Sequence, residues 1–321
     1  MLVWVAQQEN SLSKEATQGA VLVMGSINTD LVARSLYLPR PGETIEGQEF
    51  AQVSGGKGAN QAVAAARIGA RVAMVGCIGS DDNGASRLAA LEADGIDCSS
   101  VETDTSTPTG VAIVTVANNG QNTIVVVAGG NGQVTPAMVK RHEAAVKAAD
   151  VVICQLETPW DSVFATLVMA RRFGKVTVLN PAPATGPLPA EWLPLVDYLI
   201  PNEVEAAILS GLPVESESGA QRAAQELQRA GARNVIVTLG AQGAFLLTET
   251  GEGIHFAAVK VNAVDTTAAG DTFIGVFAAQ IAARQPVEAA VKLAQRAAAI
   301  SVMRNGAQPS IPTREEVDCA Q

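Results

Sequence analysis

From residue 21 onward, short β-branched runs alternate with longer Ala-rich segments whose apolar positions recur every three or four residues. The runs are Val21–Gly25, Val72–Cys77, Val151–Gln155, Val176–Leu179, Tyr198–Ile200 and Val235–Leu239. Helices are predicted at about Ala59–Ile68, Gly84–Ala93, Pro136–Ala148, Asp161–Phe173, Glu203–Leu209, Ala220–Ala230, Asp271–Ala283 and Val287–Met303. This order predicts βαβ units around a largely parallel sheet. Two stretches break it: Leu31–Val53, and Gly110–Ala128, where Val111–Val116 and Thr123–Val127 flank Asn118–Gly120 as a hairpin. Strands inserted between βαβ units predict a small second sheet, serving as a lid over a site or as a dimer edge.

Composition narrows the function classes. With 321 residues, 48% hydrophobic and 17% charged, the chain has room for one large α/β domain or two small ones. No interdomain linker or internal repeat divides it, so we expect one domain over 21–321, preceded by a loose polar extension over 1–20. A net charge of −10 lacks the basic footprint of a nucleic-acid binder, so an anionic ligand needs locally placed donors. No stretch reaches the ~18 apolar residues of a membrane span, and the start has neither a basic n-region nor a long enough apolar run for a signal peptide. Cys77, Cys98, Cys154 and Cys319 stand singly, which fits a reducing cytoplasm better than a disulfide framework or a metal site. His142 and His255 are isolated, so histidine-led catalysis is not expected.

Asp265–Phe273 leaves a loop of small residues and opens a long helix. The first amides of a helix are unpaired donors at a positive dipole end, so this segment offers an anion site built from neutral backbone. Asp271 in the first turn is placed to take a proton from an attacking hydroxyl, or only to complement the dipole. Gly55–Gln61 (GGKGANQ) also precedes a helix; it is not a P-loop, since Gly58 rather than Ser or Thr follows Lys57. It offers Lys57 and the amide of Asn60 to a polar ligand, unless they are a surface lysine and a helix cap. Asn28 and Asp30 are expected at the carboxyl end of the first strand, on one face, where α/β sheets bind ligands, although an Asx turn would also explain them. Glu157 follows the Val151–Gln155 run in the same positional sense, as a ligand or as a charge at a helix start. Asn202 and Glu205 form a capping pattern, and Thr238–Gly243 closes a strand with a glycine pair that permits close approach of a nucleotide.

Taken in order, Gly25–Asp30, Pro41–Thr44 (PGET), Gly55–Ala66 (GGKGANQAVAAA), Gln155–Pro159, Asn180–Ala184 (NPAPA), Pro201–Glu205, Val264–Phe273 and Gly306–Ser310 (GAQPS) resemble the ribokinase family of ATP-dependent sugar kinases, the phosphofructokinase-B type. The likeness runs from about Val21 to Ile311. It implies a Rossmann-like, doubly wound α/β fold with a small β lid, and ATP-dependent phosphorylation of D-ribose at its 5-hydroxyl. Asp271 would be the base, with an anion hole from the amides of Ala268, Ala269 and Gly270. Asn28, Asp30, Gly56, Lys57, Asn60, Glu157 and Asp271 would hold the sugar. Asn202, Thr238, Gly240, Gly243, Gly270 and Gln295 would line the nucleotide, and Glu205 would help place magnesium. A potassium site would involve Asp265, Thr267, Ser301, Arg304, Gly306 and Ser310, mostly through backbone carbonyls. The family's lids often pair into a homodimer. Val276 stands where the family pattern usually has a small residue. Another pentose such as 2-deoxyribose, a nucleoside, or sugar binding without catalysis are the competing readings; the polar pocket without an aromatic to stack a base argues against a nucleoside.

Overall fold

The computed structural model describes residues 18–320, so most of the predicted extension lies outside the described residues. Ala20 does not belong to such an extension: it opens strand β1 (Ala20–Met24) and is buried. β1 is followed by β2 (Asn28–Ser35), β3 (Gly47–Gly55), α1 (Lys57–Arg67), β4 (Arg71–Gly79), α2 (Asp82–Ala93), β5 (Asp97–Asp104), β6 (Gly110–Ala117) and β7 (Asn122–Val127). The chain continues through α3 (Pro136–Arg141), α4 (Glu143–Ala148), β8 (Val151–Cys154), α5 (Trp160–Arg172), β9 (Val176–Leu179), β10 (Tyr198–Leu199), α6 (Glu203–Ser210) and α7 (Glu217–Arg229). It ends with β11 (Asn234–Thr238), β12 (Ala244–Leu247), β13 (Gly253–Phe256), α8 (Ala269–Ala282), α9 (Val287–Ser301) and α10 (Arg314–Cys319).

The main sheet runs β13-β12-β11-β10-β9-β8-β1-β4-β5, parallel from β11 to β5, with antiparallel pairings only at β11–β12 and β12–β13. Alternation along β1 feeds both faces of this sheet. Val21 and Val23 join the core under α1, α8 and α9, whereas Leu22 and Met24 join the opposite core under α5 and α7. The chain winds outward in both directions from the β1–β8 pair, the kind of switch point beside which open α/β sheets bind ligands.

Helices α1 and α8 meet almost backbone to backbone. A Cβ added at Gly275 of α8 would lie 2.3 Å from the Gln61 carbonyl oxygen and 2.6 Å from Ala64 Cβ, so glycine is required for this approach. Val276 is fully buried in the core of the same helix and does not line the cavity described below.

The second sheet has the order β3-β2-β6-β7. Its first strand begins at Asn28, three residues before the predicted insertion, so Asn28 and Asp30 open a lid strand rather than close β1. β7 is an edge strand exposed along its whole length. The predicted helix 136–148 is divided at His142, where Arg141 and His142 both turn to Glu102 of β5 at 2.7–3.0 Å. β5, β12, β13 and α10 were not among the predicted elements.

Candidate active site

The loop before α8 is fixed by backbone and by one carboxylate. The Val264 and Asp265 amides donate to the Val302 carbonyl. Asp265 accepts from the Thr267 amide (2.9 Å) and hydroxyl (2.6 Å) on one oxygen and from the Gly306 amide (2.9 Å) on the other. These hydrogen bonds outweigh burial and hold its carboxyl below the usual range. Ala268 then adopts a left-handed conformation, with φ 59°, and caps α8. The Ala269 amide donates to the Thr266 carbonyl (3.2 Å), so this one of the three amides expected in the anion hole is already engaged. Among the described residues, nothing accepts from the amides of Ala268 and Gly270.

Asp271, in the first turn of α8, is buried and gripped from α1. Asn60 Nδ2 donates to Oδ2 and Gln61 Nε2 to Oδ1, both at 2.9 Å. The backbone amide of Asn60 is taken by the Gly56 carbonyl, so Asn60 acts through its side chain inside α1 and is neither an N-cap nor an amide donor to a ligand. Its Oδ1 is buried without a partner among the described residues, an acceptor left over for a ligand hydroxyl. Gly56, with φ 91°, makes the turn into α1; a Cβ there would lie 2.8 Å from the Asn28 nitrogen and the Ser26 carbonyl oxygen.

Two further carboxylates approach from the two sheets. Glu157, beyond β8, accepts from the Ser26 hydroxyl (2.6 Å) and the Lys57 amide (3.1 Å) through one oxygen, leaving the other without a protein donor among the described residues. Asp30 lies against Gly55, where a Cβ would meet its carboxyl at 2.2 Å. Burial, then Glu157 and Asp271, push its pKa up to about 6, against the pull of Arg87 and Lys57. Asn28 Oδ1 accepts from Asn131 Nδ2 (2.7 Å), and Asn131 also clasps both backbone groups of Ile27. Lys57 is central. Burial disfavours its ammonium, but Asp271, Glu157, Glu205 and Asp30 outweigh this and hold its pKa above the usual lysine range.

A cavity of about 190 Å³ opens on the other side of Lys57, reaching Asn180, Asn202, Glu205, Thr238, Ala268, Gly270 and Asp271. Asn202 and Glu205 form a reciprocal capping box at the start of α6, using Asn202 Oδ1 and Glu205 Oε2. Asn202 Nδ2 and Glu205 Oε1 remain without protein partners among the described residues. Burial raises the Glu205 pKa. Thr238 bridges to Asn202. Gly240 and Gly243 lie farther along that turn and do not line the cavity; Gly243 is required by packing, since a Cβ would meet the Phe256 carbonyl oxygen at 1.9 Å. Gln295 also lies outside the cavity lining, and its amide donates to Phe256 (3.0 Å).

The remaining positions surround the 301–310 loop. The Ser301 and Ser310 hydroxyls donate to the Ala298 and Ala307 carbonyls, and Gly306 is tied to Asp265. The Arg304 side chain pairs with Glu316 of α10 at 2.7 Å, so it does not face Asp265, and any cation contact from Arg304 would be through its carbonyl. Sequence reasoning gave no role to Ser26, Gln61, Asn131 or Asn180. The available signal was adjacent carboxamides, Asn60–Gln61, at the start of an otherwise Ala-rich buried helix.

The geometry places an acceptor carboxylate between a cluster of hydroxyl-binding groups and a helix-terminal anion site, which suits group transfer to a polyol. Comparison with known proteins agrees. The family model of the pfkB family carbohydrate kinases matches residues 18–314. A ribokinase of Haemophilus influenzae is 44% identical over 294 residues, 92% of this chain and 95% of its own. A deoxyribokinase of Salmonella typhi is 38% identical over 92% of this chain and 96% of its own. Among solved structures, a ribokinase of Arabidopsis thaliana complexed with ribose and ATP superimposes with a TM-score of 0.88 at 32% identity, covering 94% of this chain and 97% of that one. With a fold, a site and a family model that agree over nearly the whole described chain, this protein belongs to the pfkB family of carbohydrate kinases.

Proposed function

We propose that this protein transfers the γ-phosphoryl group of ATP to the 5-hydroxyl of D-ribose, giving ribose 5-phosphate and ADP. The observation that carries this reading is Asp271, fixed by two amide donors beside the free amides of Ala268 and Gly270. In this reading the sugar lies among Asn28, Asp30, Asn60 and Glu157, and the oxygens of Asp30, Asn60 and Glu157 that have no protein donor among the described residues take its ring hydroxyls. The 5-hydroxyl points at Asp271, which receives its proton as the oxygen attacks the γ-phosphorus and ADP leaves. Backbone amides and Lys57 stabilise the charge on the transferring group. Asn202 and Thr238 border the phosphate chain.

A single lysine faces four carboxylates here, so a triphosphate needs added cations. Glu205, with one oxygen free towards the cavity, fits hydrated magnesium, which supplies charge neutralisation of the β- and γ-phosphates. The Asp265 carboxylate already accepts three protein hydrogen bonds, so a monovalent cation such as potassium would be held mostly by carbonyls of the 265–267 and 301–310 loops. Gly240, Gly243 and Gln295 shape the nucleotide turn from behind.

We place the protein in the cytoplasm as a homodimer. Support for the first is three buried free thiols, and among the described residues no helix long and apolar enough to cross a membrane. Support for the second is the lid edge, where Ile124, Val125, Val126 and Val127 are at least half exposed in succession, leaving both faces of β7 uncovered. The deoxyribokinase relative favours 2-deoxyribose as a second reading. A coupled ADP-release assay over ribose, 2-deoxyribose, fructose and adenosine decides. Ribose should lead in kcat/KM by about 5- to 150-fold over deoxyribose, because a missing hydroxyl strands a buried acceptor. Asp271→Asn should keep sugar binding while kcat falls ~10²–10⁴-fold. Equal rates with deoxyribose refute the ribose assignment; normal turnover by a folded Asp271→Asn variant refutes the base.

A further inference from the structure

Behind Asp271 lies a chain of buried carboxamides that runs from Gln61 to Gln155 and Asn180. Gln155 Nε2 donates to Gln61 Oε1 at 2.6 Å. Gln61 Nε2 spends its two hydrogens on Asn180 Oδ1 (3.1 Å) and Asp271 Oδ1 (2.9 Å). Asn180 Nδ2 donates to the Ile200 carbonyl at 3.1 Å. Gln61 and Gln155 are completely buried, and Asn180 nearly so.

The direction of this chain is forced at both ends by groups that accept, the Asp271 carboxylate, whose two oxygens each take an amide hydrogen, and the backbone carbonyl of Ile200. Asn180 must turn its nitrogen to Ile200 and its oxygen to Gln61. Gln61 must therefore turn its nitrogen to both Asn180 and Asp271, and its oxygen to Gln155. No amide in the chain can flip without setting two acceptors face to face. Gln61 hence presents a donor to Asp271 Oδ1 in one orientation only, while Asn60 holds Oδ2.

We infer that Gln61 is a positioning residue for phosphoryl transfer: its polarised amide fixes the rotation of the Asp271 carboxylate and keeps it an acceptor. The inference rests on the reading of Asp271 as the base. Gln61 touches neither sugar nor nucleotide in this arrangement; it acts through Asp271, and Asn180 carries the orientation in from the wall of the phosphate-side cavity. A base free to turn would spend time aimed away from the attacking hydroxyl, and small errors of aim are costly in proton and phosphoryl transfer.

The test is a double-mutant cycle on the full chain, with kcat and KM for ribose and ATP, and the stoichiometry of ribose binding by calorimetry. Gln61→Met removes the donors at similar length. It should lower kcat ~10- to 100-fold, as loss of a hydrogen bond to a charged group does, while both KM values stay within about threefold. The ribose stoichiometry should match the wild type, which a misfolded fraction would not allow. In the Asp271→Asn background the same Gln61→Met change should cost less than about threefold, because its route to the reaction is gone. Gln61→Glu, which keeps the shape and sets a second acceptor against Asp271, should lose at least as much kcat as Gln61→Met and serves if the latter does not fold. Equal losses in both backgrounds, unchanged kcat in either Gln61 variant, or stoichiometry falling in step with kcat would overturn the positioning role. Near-normal turnover of Asp271→Asn alone would instead overturn the base on which it rests.

Discussion

Replacing Gly275 by alanine tests whether the contact between α1 and α8 sets the geometry of the reaction. The new Cβ would sit 2.3 Å from the Gln61 carbonyl oxygen, 2.6 Å from Ala64 Cβ and 3.0 Å from the Ala65 nitrogen. Two of these three atoms are backbone, so no side chain can swing aside to relieve the clash. Ordinary contact begins near 3.4 Å, so the helices must part by roughly 1 Å. α1 carries Asn60 and Gln61, and α8 carries Asp271; the same separation stretches both 2.9 Å hydrogen bonds past the useful limit. Overpacking of this kind costs about 1–3 kcal/mol. Alanine in a helix interior returns about 1 kcal/mol of propensity over glycine. The net loss of about 0–2 kcal/mol should lower Tm by no more than roughly 5 °C in a domain of this size. Turnover should fall much further, by ~10²-fold, since a 1 Å misplacement of reacting groups has that effect. Coupled ADP release with saturating ribose and ATP, alongside a thermal melt, measures both. A Gly275→Ala protein that melts within a few degrees of wild type and turns over within threefold of it would refute the argument that helix spacing aims the base.

Two further outcomes follow from charge. Asp30 binds its proton more tightly when folded, near pH 6, than at the ordinary aspartate value of 3.8, so this group favours the folded state below about 3.8 and loses that contribution as pH rises through 6. Asp30→Asn should therefore raise Tm at pH 7.5, with the gain vanishing as pH falls towards 4, while KM for ribose worsens; a Tm difference independent of pH would contradict the assignment. Potassium should raise activity over tetramethylammonium at equal ionic strength, because the carbonyls beside Asp265 adjoin the anion site; identical rates would remove the cation from the mechanism.

The parallel strands were readable because strands covered on both faces are apolar in nearly every position, as in Val21–Met24 and Val151–Cys154. β5 (DCSSVETD) lies at the sheet edge with a broken register against β4 and has no such signature. The division of the 136–148 helix was equally hidden, since Glu102, the partner that meets it at the break, is 40 residues away from His142. At the site, the residue types that the proposed function assigns to a ligand stood out as motifs. Their orienting partners did not: Asp271 and Gln61 are 210 positions apart, and Asn28 and Asn131 are 103 apart. Local patterns mark which groups can react, but only the crossing of helices and sheets reveals what aims them. Asn202 and Glu205 show a further ambiguity, because one capping box both closes a helix and leaves a free oxygen and a free amide at the cavity.

The placement of Asn28 and Asp30 on β2 of the small sheet, while Glu157 follows β8 of the main sheet and Asp271 stands on α8, would give the sugar a mechanical part. On the proposed function, a ribose seated among them would tie one sheet to the other as a removable cross-link. The lid, a four-stranded sheet with one bare edge, is the element with most to gain from that tie. Under such linkage, ribose at 100 times its Kd adds about 2.7 kcal/mol to the folded state. The substrate is then also a fastening, and the resistance of the lid to proteolysis becomes a gauge of how much sugar surrounds the enzyme.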